Sequence, residues 1–314
     1  MSRSSGNDAG TPRTGRLPVV AVVAHSGKSL GGGLPELRKV LASEGVGDPA
    51  WYEVAKSRKA PKAARRALSR GAELVFVWGG DGMVQRCVDA LAGTDAAVAI
   101  LPAGTANLLA TNLQIPADLT EAVHVGLYGE RRLLDTGTVN GEHFAVMAGA
   151  GFDARMIRSA DRGMKDRFGR AAYLITGTRN LGGARAKTVI AVDGKRFFKG
   201  RASCVLVGNV SKILGGIEVF AGAQPDDGLL ELGVVTARNA ADWIRTLGRV
   251  AVGDADRSPF VTTTRGKQFR IRFDQPFPYE LDGGARSGAR KIRIKVRPAS
   301  IRICVPALPE AAGS

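Results

Sequence analysis

The chain has 314 residues, 44% of them hydrophobic and 24% charged, a globular composition long enough for two domains. Its 45 Lys and Arg against 29 Asp and Glu give a net charge of +16, which suits a polyanionic partner. Aromatic residues make up only 6% and never interleave with a basic stretch, so an anionic membrane surface or a phosphorylated substrate is expected and a nucleic acid is not.

The opening MSRSSGNDAGTPRTGR is polar and rich in small residues, and a disordered tail is expected over residues 1–17. The LPVVAVVA run behind it is too short to span a bilayer and carries no signal-peptide cleavage pattern. Cys87, Cys204 and Cys304 are far apart with no CxxC pair. That argues against a disulfide framework or a zinc site and fits a reducing cytoplasm.

Strand and helix signals then alternate. Apolar runs at 19–24, 72–78 and 96–102 read as strands, and 34–44, 83–93 and the stretch from Thr105 read as helices. Strands without polar alternation predict a parallel sheet covered on both faces. After about residue 132 short strands and turn residues dominate, with one strong helical signal in RNAADWIRTLGRVAVG. The expected architecture is an α/β domain over 18–131, an antiparallel β-sandwich over 132–306 with a cleft between them, and a tail over 307–314.

Two glycine corners lie at strand ends. WGGDGM places Gly79, Gly80, Asp81 and Gly82 between a strand and a helix, and LPAGTAN repeats the arrangement with Gly104, Thr105 and Asn107. The carboxyl edge of a parallel sheet is where ligands bind, and glycines let backbone N–H groups reach phosphate oxygens. A bare carboxylate at Asp81 makes sense there if Mg²⁺ lies between it and the phosphates. The competing reading is an Asp in a tight turn, and for the second corner a helix cap.

GGDGM followed by PAGTANLLA resembles the diacylglycerol kinase catalytic domain family, which includes bacterial lipid kinases and sphingosine kinases, and more distantly NAD kinases and phosphofructokinases. GAGFDA (149–154), QPDDGLLELGVV, LDGGARSG and ASIRICVP agree in order, so the resemblance runs from about 18 to 306. It implies a Rossmann-like three-layer α/β nucleotide domain, a β-sandwich lipid domain, and ATP- and Mg²⁺-dependent phosphorylation of a lipid hydroxyl, diacylglycerol first. A sphingoid base or another hydroxylated substrate is the alternative, with NAD disfavoured by the lipid-kinase segments of the second half.

The resemblance assigns Gly79, Gly80, Asp81, Gly82, Gly104, Thr105 and Asn107 to the nucleotide, with Ser26 and Gly27 surviving from the family's Asn-Pro-x-Ser-Gly opening. Asp81 would meet Mg²⁺, and Asp227 matches an acidic position that binds a structural Mg²⁺ in some members. The further ligand sometimes found five residues earlier is Gly222 here. Met83 stands where a threonine is usual. Gly284 stands where the family has the glutamate thought to act as general base, a function typically contributing about two to four powers of ten. Glu280 and Asp282 are the nearby carboxylates, placed on one side by strand alternation, and Asp282 is the candidate substitute. A nucleotide-binding pseudokinase at the membrane is therefore a third reading.

KSRKAPKAARR (56–66) reads as a solvated helix face or a contact for anionic headgroups. RKIRIKVR (290–297) predicts a strand with one buried and one cationic face, serving either membrane contact or protection of a sheet edge. Peripheral association with the inner face of the membrane is expected, and an exposed edge of the sandwich could support a homodimer. His25, His124 and His143 form no ligand spacing. His25, at the first strand end, reads as a loop residue.

Overall fold

The computed structural model describes residues 16–151, 185–213, 217–251 and 258–307. The expected tails, apart from residues 16, 17 and 307, and positions 152–154 of GAGFDA lie outside them.

The first half is an α/β layer structure. Strands β1 (Val20–His25), β2 (Ala50–Val54), β3 (Leu74–Gly79) and β4 (Ala97–Pro102) alternate with helices α1 (Gly33–Ser43), α2 (Ala60–Ser69) and α3 (Asp81–Leu91). Helices α4 (Leu108–Asn112) and α5 (Leu119–Tyr128) follow. The strands pair in parallel in the order β2-β1-β3-β4. Every residue of β3 and β4 is buried, as apolar strands covered on both faces require. Helix α2 buries Ala60, Ala63, Ala64 and Ala67 and leaves Lys62, Arg65 and Arg66 in solvent. Helix α5 starts where the Asp118 carboxylate accepts the Glu121 N–H at 3.0 Å, an N-cap that ends the preceding turn.

The second half is antiparallel. Its strands are β5 (Glu130–Val139), β6 (Glu142–Phe144), β7 (Met147–Ala150), β8 (Ala186–Val192), β9 (Lys195–Ala202) and β10 (Cys204–Gly208). A short pair, β11 (Lys212–Ile213) and β12 (Ile217–Glu218), precedes β13 (Leu230–Val235). Helix α6 (Ala240–Ala251) then leads to β14 (Val261–Gly266), β15 (Gln268–Leu281) and β16 (Gly284–Val305). The β8–β9 hairpin turns on Asp193 and Gly194, both at positive φ (47° and 84°), the geometry a two-residue Asp-Gly hairpin needs.

Strands β15 and β16 shift register between Arg272 and Phe277 and so belong to two layers. One layer runs β14-β13-β10-β7 and onto the ends of β15 and β16; the other joins β9-β8 to their remaining parts and to β5. Val207, Leu232, Ile190, Phe269, Ile271 and Ile294 fill the space between the layers. This is the sandwich expected from the sequence.

The halves share strands. The end of β16 lies parallel to β4, pairing Ile303 with Val98, and antiparallel to the start of β5, pairing Ile301 with Leu134. The expected division at 131/132 thus falls inside β5, a strand that serves both halves.

Candidate active site

The carboxyl ends of β1, β3 and β4 open on one edge of the parallel sheet. There Ser26, Gly27, Gly82 and Thr105 are exposed and Asp81 is half-buried. The loop after β1 is held from two sides: His25 Nδ1 accepts the Gly27 N–H (3.1 Å), and the buried Trp78 indole donates to the Lys28 carbonyl (3.0 Å). His25 is the loop residue the sequence suggested, with its ring nitrogen serving the backbone.

The two glycine corners pack on each other. A Cβ on Gly104 would lie 2.4 Å from Gly80 Cα, and one on Gly80 would lie 3.0 Å from Gly104 Cα. Both are glycine because two backbones meet, a reason that comes before any ligand. Gly79 is closed in the same way by Met83, whose side chain turns into the core at 1% exposure. A Cβ on Gly82 would meet nothing within 4 Å, so the start of α3 faces open space.

Asn107, in the left-handed region at φ 47°, knots the second corner. Its Oδ1 accepts the Gly104 N–H (2.9 Å), and its Nδ2 donates to the carbonyls of Pro102 and Gly104 (3.0 and 2.9 Å). Its side chain thus shapes the loop, leaving Thr105 as the exposed hydroxyl. Asp81 Oδ1 accepts the Leu108 N–H at 2.5 Å and so caps α4 from the neighbouring corner. Residues 79–82 and 104–107 are brought together as expected.

Asp282 joins them from the other half. It sits in the turn between β15 and β16 at φ 45°, outside either strand, so strand alternation from Glu280 does not set its direction. Its carboxylate accepts the N–H groups of Ala145 (2.9 Å), Val146 (3.0 Å) and Met147 (2.8 Å). Burial pushes its pKa up to about 6 against the pull of these three bonds, and the nearby charge of Asp81 adds to the rise. Glu280, 1% exposed, lies instead beside Gly149, and its charge adds to the burial that pushes the Cys204 thiol up.

Asp227 is exposed and spends Oδ1 on the Leu229 N–H (2.9 Å), an Asx turn. The carboxylate that organises its loop is Asp135, buried and accepting from Gly228 (2.6 Å) and Ala299 (2.8 Å). Among the described residues no three His, Cys, Asp or Glu side chains converge as a metal cluster.

Sequence reasoning missed the groups around Gly284. A Cβ there would lie 2.8 Å from Arg286 Nη1, so the guanidinium fills the space where a side chain at 284 would begin. Arg286 donates to both oxygens of Glu142, through Nε at 3.0 Å and through Nη2. Its Nη1 donates to the carbonyls of Gly284 and Ala285 (2.8 and 3.2 Å), and Nη2 reaches Gln85 Oε1 at 3.5 Å. Burial would raise the Glu142 carboxyl; the Arg286 bond and the charges of Arg286 and Arg86 outweigh it and hold the group below its usual range. Gln85 and Arg86 lie one turn beyond Asp81 on α3, so this clasp ties that helix to the Asp282 turn. Arg286→Met should cost about 2 kcal/mol in urea unfolding. Arg286→Lys should recover less than half of it, because one ammonium cannot serve a bidentate carboxylate and two carbonyls together.

An apolar recess lies under α6, lined by Cys204, Leu206, Phe220, Val235, Trp243 and Leu247 among others, with about 40 Å³ of free space. It occupies the outer face of the β10–β13–β14 layer.

The diacylglycerol kinase catalytic domain family matches residues 19–139, and the YegS C-terminal NAD kinase beta sandwich-like domain matches 146–305. A Pseudomonas aeruginosa protein named "Probable lipid kinase YegS-like" is 31% identical over 256 residues, 79% of this chain and 82% of that protein. The diacylglycerol kinase of Bacillus subtilis is 29% identical over 229 residues, 71% of this chain and 75% of its own length. The crystal structure of a diacylglycerol kinase from Bacillus anthracis str. Sterne shares the fold, with a TM-score of 0.69 at 17% identity over 93% of this chain and 98% of that one. The two stacked glycine corners and the strands beyond them thus have a common origin with these enzymes: the chain belongs to the diacylglycerol kinase catalytic domain family of lipid kinases.

Proposed function

We propose that the protein transfers the γ-phosphate of ATP to the hydroxyl of diacylglycerol, giving phosphatidic acid, at the cytoplasmic face of a membrane. The observation that carries this reading is the pair of stacked corners, which sets the half-buried Asp81 carboxylate beside the open start of α3. Gly82 and Thr105 are available to phosphate oxygens there, and the N-terminus of α3 favours an anion. Asp81 fits a Mg²⁺ carried with the nucleotide, since such ions usually take one or two carboxylates plus phosphates. When bound, the ion would neutralise charge on the transferred group. Ser26 and Gly27 border the same edge, where the His25 and Trp78 bonds keep their loop in place.

Asp282 is a positioning group in this reading: its carboxylate fixes residues 145–147 beside the corner, with both oxygens engaged by backbone N–H groups. The recess under α6 is wholly apolar and suits an acyl chain. At about 40 Å³ it takes a chain only if α6 moves outward. Contact with the bilayer is peripheral in this reading; among the described residues no helix is long and apolar enough to cross a membrane. The buried, unbridged cysteines agree with a reducing compartment. Among the described residues β9 and β14 pair on one side only, and a homodimer would form there.

Arg286 filling the space beside Gly284 favours a second reading, a nucleotide-binding pseudokinase. Labelled ATP offered with diacylglycerol, sphingosine or NAD in mixed micelles separates the possibilities. Labelled phosphatidic acid is expected. Transfer to sphingosine or NAD alone would replace the substrate, and ATP binding with no transfer to any of the three would leave the pseudokinase.

A further inference from the structure

The sandwich layer formed by β9, β8, β15 and β16 turns a cationic face to solvent. Across it like charges stand directly opposite each other: Arg270 faces Arg293 and Arg272 faces Lys291 on β15 and β16, and Lys187 faces Arg201 on β8 and β9. All six are exposed, and none forms an ion pair among the described residues. Lys199 and Lys295 extend the rows at either side. Asp274 lies at one end, with its Oδ1 taken by the Lys187 backbone N–H at 3.0 Å.

Like charges directly opposite on paired strands destabilise a sheet. Protection of an open edge is the usual reason to accept them; it accounts for Lys199 and Arg201 on the edge strand β9 but not for Arg270 and Arg272 on β15. Strand β15 is paired on both sides along this stretch, by β8 and by β16, and β16 is held between β15 and β5 at Lys295. An external counter-charge therefore remains as the reason for Arg270 and Arg272 at the centre of the array.

We infer that this face docks on the anionic headgroups of a phospholipid bilayer. The array spans four adjacent strands spaced about 4.8 Å apart, so its charges lie close together on one outer face. Val189, 38% exposed, is the apolar side chain in its middle, between Lys199 and Arg272. Among the described residues no exposed aromatic ring stands on the face to stack a base, which separates it from a single-strand nucleic-acid platform. The face is on the opposite side of the sandwich from the α6 recess, so anchoring and acceptor binding use different surfaces. This inference adds a location to the membrane partner proposed above and is tested without turnover, so it stands or falls apart from the kinase reading.

The test is co-sedimentation of the full chain, without nucleotide, with phosphatidylcholine vesicles made with and without phosphatidylglycerol. Wild type should bind only the anionic vesicles, and salt should release it. Arg270→Gln with Arg293→Gln should weaken that binding about 20-fold, at about fivefold per cation. The same double variant should melt at an unchanged or higher temperature, because a repulsive pair is gone. Lys62→Gln with Arg65→Gln on the exposed face of α2 should bind as wild type does. Undiminished binding by the first variant, an equal loss in the second, or a lower melting temperature in the first would each overturn the proposal. So would binding to single-stranded RNA tighter than to the vesicles and lost in the first variant, which would make the partner a nucleic acid.

Discussion

Asp81→Asn is expected to cut phosphate transfer about a thousandfold, the scale for removing one electrostatic group from a reacting centre, while leaving the fold close to wild type. The reason lies in the two things Asp81 does. Its Oδ1 caps α4 through the Leu108 N–H, and an asparagine keeps an acceptor oxygen in that place. Its charge beside the open start of α3 is what the substitution removes. Asp81→Ala should lose as much transfer and in addition about 1 kcal/mol of stability, the usual worth of a cap. Comparing transfer from labelled ATP with thermal melting separates the two roles. An Asn variant that works like wild type would reduce Asp81 to a helix cap.

The second large effect is a pH dependence. With Asp282 at about 6 against its usual 3.8, the folded protein holds a proton that the unfolded chain releases earlier. That contribution to stability is fully present below about pH 4 and is lost as pH rises through about 6, on the order of 3 kcal/mol across the window. Asp282→Asn carries no such titration and puts an amide N–H₂ against backbone donors. It should be less stable than wild type at pH 4, and the gap should narrow by about that amount towards pH 7. Urea unfolding of both proteins at pH 4, 5, 6 and 7 reads it directly. A gap that does not change with pH would mean that the three backbone bonds keep Asp282 ionised throughout.

The parallel sheet was legible because β1, β3 and β4 are apolar apart from the terminal His25, and glycines lie at or just beyond their ends. Two elements of that half were not. Strand β2, AWYEV, is a half-exposed edge strand with a charge in it, and α5 has only a narrow exposed face of Thr120, Glu121, His124 and Tyr128 in a stretch otherwise of Leu, Ala, Val and Gly. The corners could be found from one sequence because each is a local motif. Their packing on each other could not, since Gly80 and Gly104 justify themselves only as a pair. Asp282 was singled out from the sequence on strand alternation, yet at positive φ it leaves the strand that alternation describes. The Glu142–Arg286 clasp joins positions 144 residues apart, and nothing in the spacing of one chain marks such a pair. In the cationic stretch at 290–297 the alternation was clear, but that its charges stand opposite those of β15, a strand paired on both sides, is visible only in the sheet.

Strand β16 sets the order in which the protein can be made. The sheet of the first half includes residues 301–305, inserted between β4 and β5. Val98 waits for Ile303, about two hundred residues of synthesis later. Until then a growing chain presents the apolar edge of β4 to the cell with no strand to cover it. The nascent protein should therefore depend on chaperones and be cut readily by proteases up to the moment β16 emerges from the ribosome, although its first half looks like an independent folding unit.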